Sequence, residues 1–230
     1  MNGLELGPVW LSLRLAATTV AVLLVLATPL AWWLAHTRAR SAAIVESLVA
    51  LPLVLPPTVL GFYLLVLLGQ GGPVGAFWVS LTGSTLTFSF TGLVVASVLY
   101  SLPFAVQPLQ VAFEANGRGP LEAAYMLGAS PLDAFMTVAS PMALRGYLTA
   151  IVLCFAHTLG EFGVVLMVGG NIPGETKVIA IAVYEYVETL NYAAAHTLSA
   201  GLLIFSFVVL VLVYALNRQF PIRVVAGPRR

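Results

Sequence analysis

The sequence predicts an all-α, polytopic membrane protein with about five transmembrane helices. Of the 230 residues, 60 % are hydrophobic and 8 % are charged, whereas about 25 % of the residues in an ordinary soluble domain are charged. Five apolar runs are each long enough to cross a hydrocarbon core of about 30 Å. These observations exclude a soluble globular domain, and residues 1–230 are expected to form a single transmembrane domain.

The five apolar runs define the expected spans. The first run has Trp10 near one end and Trp32 and Trp33 near the other, as in the aromatic belts of membrane proteins. Pro29 is expected to kink this run close to the inner face. The expected spans are residues 9–35, 44–68, 88–113, 142–168 and 194–217.

Prolines interrupt the second run within residues 51–61, which read LPLVLPPTVLG. Proline has no backbone N–H, so the carbonyl groups that it leaves free must be satisfied by neighbouring helices or by a water-filled cavity. Two interpretations remain open at this point. The run is either a bent scaffold helix or part of a pathway lining or gate, to which Pro56, Pro57 and Thr58 would belong.

A carboxylate lies inside the fourth run, between glycines that flank it on both sides. An ionisable residue at membrane depth is a functional hypothesis by default, so Gly160, Glu161 and Gly163 are candidate pathway or gate residues. A structural cap or an interhelical hydrogen bond is the alternative role for Glu161. Its nearest candidate partner is His157, one helical turn earlier.

Three other side chains in the spans are expected to be structural. Gln107 and Gln110 in the third run are expected to bond a neighbouring helix. The single cysteine, Cys154, lies in an apolar run, which excludes a disulfide framework and a cysteine-based metal site. It is expected to be a small residue of the core.

Residues 114–141 form a polar segment between the third and fourth runs. Pro120 predicts the first turn of a short helix, where its missing N–H costs nothing, and Gly128 predicts the C-terminal cap of that helix. Ser130 predicts the N-cap of a second short helix, which Pro141 is expected to end. The segment is therefore expected to hold two short helices joined by a glycine elbow.

Basic residues indicate the orientation of the chain, because cytoplasmic loops are enriched in Lys and Arg. The N-terminus is expected outside, with the C-terminus and residues 114–141 in the cytoplasm. Residues 69–87 and 169–193 are then external. Within the second of these, residues 178–188 are too short and too charged to span, so a re-entrant or surface helix is expected. The residues that mark the inner side are Arg38, Arg40, Arg118, Arg145, Arg218, Arg223, Arg229 and Arg230.

Several classes of function are excluded by what the sequence lacks. It has no Gly-x4-Gly-Lys-Ser/Thr motif, so ATP chemistry is expected on a partner subunit and no cofactor is expected on this chain. No nucleophile, metal-ligand cluster or carboxylate pair is assembled, so neither an enzyme nor a metal site is expected. The net charge is +1 and no basic run is present, so no nucleic-acid partner is expected.

The polar segment resembles the EAA loop of ABC importer permeases. That loop reads Glu-Ala-Ala, three residues, Gly, nine residues, Ile, one residue, Leu-Pro; here valine replaces the isoleucine and Ser140 departs from the leucine. Residues 51–61, 159–163 (LGEFG) and 171–176 (NIPGET) further resemble the permease subunits of bacterial molybdate ABC transporters. The resemblance covers nearly the whole chain. The positions that it assigns to ATPase coupling are Glu122, Ala123, Ala124, Gly128, Val138 and Pro141.

The resemblance implies the type I ABC importer permease fold, as a homodimer that spans the bilayer of a bacterial cytoplasmic membrane. It also implies two cytoplasmic ATPase subunits that bind ATP and Mg²⁺, and an extracytoplasmic molybdate-binding protein. The implied cargo is molybdate, with tungstate accepted. A sulfate or thiosulfate permease is the alternative within the same class. An ion-coupled carrier or channel that uses Glu161 as a proton site is the alternative from another class.

Overall fold

The computed structural model describes residues 6–219, and every element of regular secondary structure in that range is a helix. The prediction of an all-helical chain is confirmed. Arg223, Arg229, Arg230 and the side chain of Arg218 lie outside the described residues. The helices are α1 (Gly7–His36), α2 (Ser41–Val54), α3 (Pro57–Leu68), α4 (Pro73–Thr82), α5 (Phe90–Asn116), α6 (Gly119–Met126), α7 (Pro131–Ala134), α8 (Ser140–Met142), α9 (Leu144–Gly160), α10 (Gly163–Gly169), α11 (Ile179–Glu188) and α12 (Tyr192–Gln219), with a π-helical turn at Phe135–Ala139 between α7 and α8.

Between three and five elements of the described chain are long and apolar enough to cross a membrane. Helices α1 and α5 qualify alone, as does the Tyr192–Val211 part of α12. Two bent pairs raise the number to five if each pair is one span: α2 with α3, and Pro131–Met142 with α9. The expectation of a polytopic chain with several apolar helices is confirmed.

The largest apolar core lies where α1, α5 and α9 pack together. Ala27 and Ala31 of α1 are fully buried there, and such small residues let membrane helices approach closely. Helix α1 passes through Pro29 without a break. Cys154 of α9 is 1 % exposed, and its thiol donates to the carbonyl oxygen of Ser101 at 3.8 Å. The prediction that Cys154 is a core residue is confirmed.

The second apolar run is divided into α2 and α3, which meet at a bend of 114°. Leu55 and Pro56 lie between them in extended backbone, with ψ of 137° and 136°. Each precedes a proline, whose ring disfavours helical backbone at the residue before it. Pro57 then begins α3, where its missing N–H costs nothing. Residues 44–68 therefore do not form one straight helix.

The fourth run is also divided. Helix α9 ends at Gly160, Glu161 is extended with ψ of 129°, and α10 begins at Gly163. Helix α10 then packs mainly against α3. The two interrupted runs thus meet each other, and their breaks lie side by side.

Both segments that were expected outside the membrane contain a helix. Residues 178–188 were expected to form a re-entrant or surface helix, and α11 is a ten-residue helix at this place. Helix α4 was not expected. It begins at Pro73 after an extended Gly72 and ends at Gly83, whose φ of +73° is the left-handed conformation that glycine tolerates.

One of the two glutamines in the third run bonds a neighbouring helix, as expected. Gln110 of α5 donates through Nε2 to Glu46 Oε1 of α2 at 2.9 Å, and to Glu114 Oε1 at 3.0 Å. Gln107 lines the same cleft between α2 and α5. The amide of Gln110 therefore ties α2 to α5 at the end of α5 that leads into residues 114–141.

Candidate functional site

The first half of the polar segment 114–141 is the helix α6, which starts as the sequence predicts. Its N-cap is Arg118, and Pro120 lies in the first turn. Glu122 also lies in the first turn, where a carboxylate interacts favourably with the positive end of the helix dipole. Glu122 and Ala123 are exposed, whereas Ala124 is half-buried.

The glycine elbow has the hydrogen bonds of a Schellman motif. Gly128 has φ of +92°, which side chains other than glycine rarely adopt. Its N–H donates to the Tyr125 carbonyl at 3.0 Å, and the Ala129 N–H donates to the Ala124 carbonyl at 3.0 Å. These bonds satisfy carbonyl groups that the end of a helix leaves free. The predicted C-terminal cap is confirmed.

The second half of the segment starts as predicted but ends later. The Ser130 hydroxyl accepts the Asp133 N–H at 3.2 Å, so Ser130 is the N-cap of α7. The prediction that Pro141 ends this helix is wrong. A π-helical turn at Phe135–Ala139 follows α7, and Pro141 lies in the first turn of α8. The missing N–H of a proline is tolerated in a first turn, so the helical path continues to Met142.

Several large apolar side chains of this segment are exposed. Met126 is 88 % exposed and Leu127 is 90 % exposed, and both lie at the elbow. Leu132 and Met136 add to the same exposed set. Gly128 and Pro141 are exposed, whereas Val138 is half-buried. An exposed apolar surface of this kind is typical of a protein–protein contact.

The candidate pathway residues meet at a cavity of about 470 Å³. It is bounded by the start of α3, the end of α9, the start of α10 and one face of α5. Five of the six candidates line it, namely Pro57, Thr58, Gly160, Glu161 and Gly163. Pro56 does not line it but is the N-cap of α3 beside it. Tyr100 and His157 complete the polar part of the wall.

Two glycines allow α3 and α10, whose first residues line this cavity, to approach each other closely. A Cβ atom on Gly163 would lie 2.9 Å from the Cβ atom of Pro57. A Cβ atom on Gly61 would lie 2.9 Å from the Cβ atom of Met167 and 3.1 Å from the Cα atom of Val164. Helices α3 and α10 therefore pack with glycine at both contacts, as small residues allow in membrane proteins.

Glu161 is buried and makes an interhelical hydrogen bond. Its side chain is 4 % exposed, and Ser97 of α5 donates to Oε2 at 3.2 Å. Oε1 is buried and has no hydrogen-bond partner among the described residues. The interhelical bond that was considered for Glu161 is thus present, with a partner from α5.

The expected pairing of His157 with Glu161 is wrong. An i, i+4 contact requires helical backbone at both residues, but α9 ends at Gly160 and Glu161 is extended. His157 Nδ1 instead shares a hydrogen bond with the Ser101 hydroxyl at 2.9 Å. The imidazole packs against the rings of Tyr100 and Phe104, with centroids 4.7 and 4.1 Å away. His157 is therefore half-buried in the cavity wall, where it bonds α5 rather than Glu161.

Comparison with known proteins assigns the family. The model of the family described as "Binding-protein-dependent transport system inner membrane component" matches residues 27–221. The chain belongs to this family. The predicted location, a multi-pass protein of the inner membrane, is thereby confirmed.

The relatives of this inner membrane component are permease proteins. The molybdenum transport system permease ModB of Azotobacter vinelandii is 56 % identical over 214 residues, which cover 93 % of this chain and 95 % of the relative. ModB of Escherichia coli strain K12 is 37 % identical over 185 residues, which cover 80 % of this chain and 81 % of the relative. The sulfate transport system permease CysT of a Synechocystis strain is 35 % identical over 84 % of this chain and 68 % of the relative.

The fold of this inner membrane component is also found in a solved ABC transporter. A chain of a bacterial alginate ABC transporter, crystallised with an alginate pentasaccharide-bound periplasmic protein, superposes with a TM-score of 0.75. The match covers 95 % of this chain and 80 % of that chain, at 13 % sequence identity. It therefore shows the fold alone, which is that of an ABC transporter permease.

The sequence analysis did not identify the hydroxyl groups that form hydrogen bonds with Glu161 and His157 in this inner membrane component. Ser97 and Ser101 are both fully buried on α5 and bond residues of α9 and its C-cap. Thr158 joins them through its hydroxyl, 3.3 Å from that of Ser101. The available signal was the i, i+4 spacing of Ser97 and Ser101 within an apolar run, which places both on one face of a helix.

The NIPGET segment is a folded loop that is fixed to α11. Glu185 Oε2 accepts Asn171 Nδ2 at 2.8 Å and Lys177 Nζ at 2.9 Å. Thr176 is fully buried, and its hydroxyl accepts the Ile172 N–H at 3.1 Å. The hydrogen bond from Asn171, followed by that from Lys177, holds the pKa of Glu185 below its ordinary value.

Proposed function

We propose that this chain is the membrane permease subunit of an ATP-driven importer of molybdate, which also accepts tungstate. The observation that carries the proposal is the 56 % identity to a molybdenum transport permease over 95 % of that protein. Tungstate follows from chemistry, since the two dianions have the same charge and nearly the same size. The chain itself is not an enzyme, and ATP and Mg²⁺ bind to a partner subunit.

The segment 114–141 is proposed as the contact with a cytoplasmic ATPase. Its support is the exposure of large apolar side chains, namely Met126 and Leu127 at the elbow and Leu132 in α7. Apolar side chains that are exposed to water do not stabilise an isolated protein. Their burial against a partner removes apolar surface from water and stabilises the complex. Closure of the ATPase would then move the attached spans as rigid bodies. The coupling residues remain Glu122, Ala123, Ala124, Gly128, Val138 and Pro141.

The cavity between α3, α5, α9 and α10 is proposed as part of the translocation pathway, formed by two copies of the chain. Its described lining contains two hydroxyl groups, an imidazole and the carboxyl group of Glu161, but neither Lys nor Arg. Such a wall offers weak hydrogen bonds to an oxyanion and no strong ion pair. Weak contacts suit a pathway that must release its cargo. An extracytoplasmic binding protein would select and deliver the anion.

The topology proposed with this function has the N-terminus outside and five spans at the expected positions. Ser84 and Arg38 are both exposed and lie on opposite sides of the membrane in this topology. With Cys154 replaced by alanine, a cysteine at Ser84 should react with an impermeant thiol reagent in intact cells. A cysteine at Arg38 should react only after the membrane is opened. The reverse pattern contradicts the proposed orientation.

A sulfate importer is the second candidate, because the sulfate permease CysT is 35 % identical to this chain. The molybdate and sulfate importers can be distinguished by measuring the ATPase activity of the purified complex in the presence of loaded binding proteins. A molybdate-loaded binding protein should stimulate hydrolysis, and a sulfate-loaded one should not. Equal stimulation by the sulfate-loaded protein would move this chain to the sulfate permeases.

A further inference from the structure

A small apolar cluster is one of the contacts that pack the segment 114–141 against the spans. Its buried members are Leu121 of α6, Ala134 of α7 and Ala139 of the π-helical turn. Among the described residues that complete this cluster, Trp32 of α1 is the one that lies outside the segment. The indole of Trp32 is therefore a direct link from a span to the short helices.

Trp32 also belongs to the core of the spans. Its ring lies 5.1 Å from that of Phe113 of α5, edge to face, and 5.1 Å from that of Phe135 in the π-helical turn, also edge to face. Phe113 in turn meets Tyr147 of α9 at 6.2 Å. Edge-to-face pairs at these separations are favourable geometries for aromatic rings. The indole thus joins the short helices to α1. It shares the link to α5 and α9 with a direct contact between Phe113 and Phe135, whose ring centroids are 6.1 Å apart.

His36, the last residue of α1, contacts both Trp32 and the start of α6. The ring of His36 lies against the indole, tilted by 39° with centroids 3.9 Å apart, and His36 Nδ1 donates to the Trp32 carbonyl at 2.9 Å. Arg118, the N-cap of α6, donates to the His36 carbonyl at 3.5 Å. The end of α1 and the start of α6 are thereby joined by one hydrogen bond beside the aromatic contact.

We propose that Trp32 is the positioning residue that transmits movement of the short helices of segment 114–141 to spans α1, α5 and α9. The inference rests on the proposed contact of that segment with an ATPase. Rigid-body coupling requires that the moving part and the driven part share packed side chains, and packed interfaces resist gradual deformation. Trp32 provides such shared packing on both sides.

The adjacent tryptophan offers a matched control. Trp33 has the same side chain, lies one position further along α1 and is 40 % exposed. It therefore points away from the cluster that Trp32 joins. Loss of Trp33 removes an equal volume from the same turn of the helix without touching the aromatic contacts to Phe113 and Phe135.

The test measures molybdate transported per ATP hydrolysed by the complete complex, reconstituted with its ATPase and a molybdate-loaded binding protein. Trp32→Ala should keep the ATPase bound but lower this ratio about three- to tenfold, the size expected when a coupling contact is lost. Trp32→Phe should retain most of the ratio, because a ring still fills the site. Trp33→Ala should match the parent.

Phe135→Leu provides a second variant, because it removes the ring contact from the side of the loop and should lower the ratio in the same direction. A parental ratio in Trp32→Ala, or an equal loss in Trp33→Ala, overturns the proposal. Dissociation of the ATPase from the parent complex is a different result, since it contradicts the proposed docking of segment 114–141 rather than the role of Trp32.

Discussion

A Cβ atom on Gly163 would lie 2.9 Å from the Cβ atom of Pro57, so α10 and α3 touch without room for a side chain between them. The two residues belong to sequence motifs that lie far apart in the chain. Pro57 directly follows the bend of 114° between α2 and α3, and Gly163 follows the break in the fourth run. Their contact forms one wall of the cavity that also holds Glu161.

Gly163→Ala is expected to force α3 and α10 apart. Overpacking of a close contact costs about 1–3 kcal/mol, so the variant should unfold at a lower temperature and transport less. Gly160→Ala is the control, because a Cβ atom at Gly160 meets nothing within 4 Å. Thermal unfolding of the two purified variants checks this, and equal stability of both would contradict the close contact.

Gly128→Val is expected to uncouple transport from ATP hydrolysis. No atom lies within 4 Å of a Cβ atom at Gly128, so the effect would come from the backbone φ of +92° alone, which a β-branched residue adopts only as an outlier. Gly128→Asn should be milder, since asparagine tolerates positive φ. Transport assays of both variants with the ATPase provide the measurement. Normal transport by Gly128→Val argues against the role of the elbow.

Glu161→Gln is expected to keep transport driven by ATP. The amide has the shape of the carboxyl group and can still accept the hydrogen bond from Ser97, whereas Glu161→Ala leaves the buried Ser97 hydroxyl without its partner, which costs about 1–3 kcal/mol. Uptake should not acquire a dependence on a proton gradient in Glu161→Gln. Gradient-driven uptake by the parent without ATP would instead assign Glu161 a proton-carrying role.

The outer NIPGET loop is expected to loosen in acid. Hydrogen bonds from Asn171 and Lys177 lower the pKa of Glu185 in the folded protein, so they stabilise the loop above the ordinary carboxyl pKa of 4.5. This stabilisation is lost as the pH falls from that value through the lowered pKa. Proteolysis of the loop at a series of pH values should show the loss in the parent and not in Glu185→Gln. Glu175→Gln, which does not alter these hydrogen bonds, should behave as the parent. If Glu185→Gln showed the same dependence on pH as the parent, the assignment would be refuted.

The sequence predicted those parts of the site that depend on local chemistry. The Ser130 cap, the left-handed Gly128 and the start of α6 each follow from one residue and its immediate neighbours. The prolines likewise indicated an interruption near Pro56, because their effect on the preceding residue is local. The angle of 114° between α2 and α3 does not follow from such local effects, and neither does the packing of α3 against α10.

The remaining features depend on contacts between distant parts of the chain. Ser97 bonds Glu161 across 64 positions, and no pattern within the fourth run identifies that partner. The continuation of the helix past Pro141 depends on the π-helical turn before it, which buries Ala139 against the cluster beneath the segment. Helix α4 lies in a stretch rich in Gly, Ser and Thr, whose composition favours a loop.

The proposed import is measured most directly as uptake of molybdate into proteoliposomes that contain this chain and its ATPase. Molybdate-loaded binding protein is supplied outside and ATP inside. We expect uptake that requires ATP and the binding protein, is reduced by tungstate and is unaffected by sulfate. Uptake that proceeds without ATP, or an import of sulfate in place of molybdate, would contradict the proposed import.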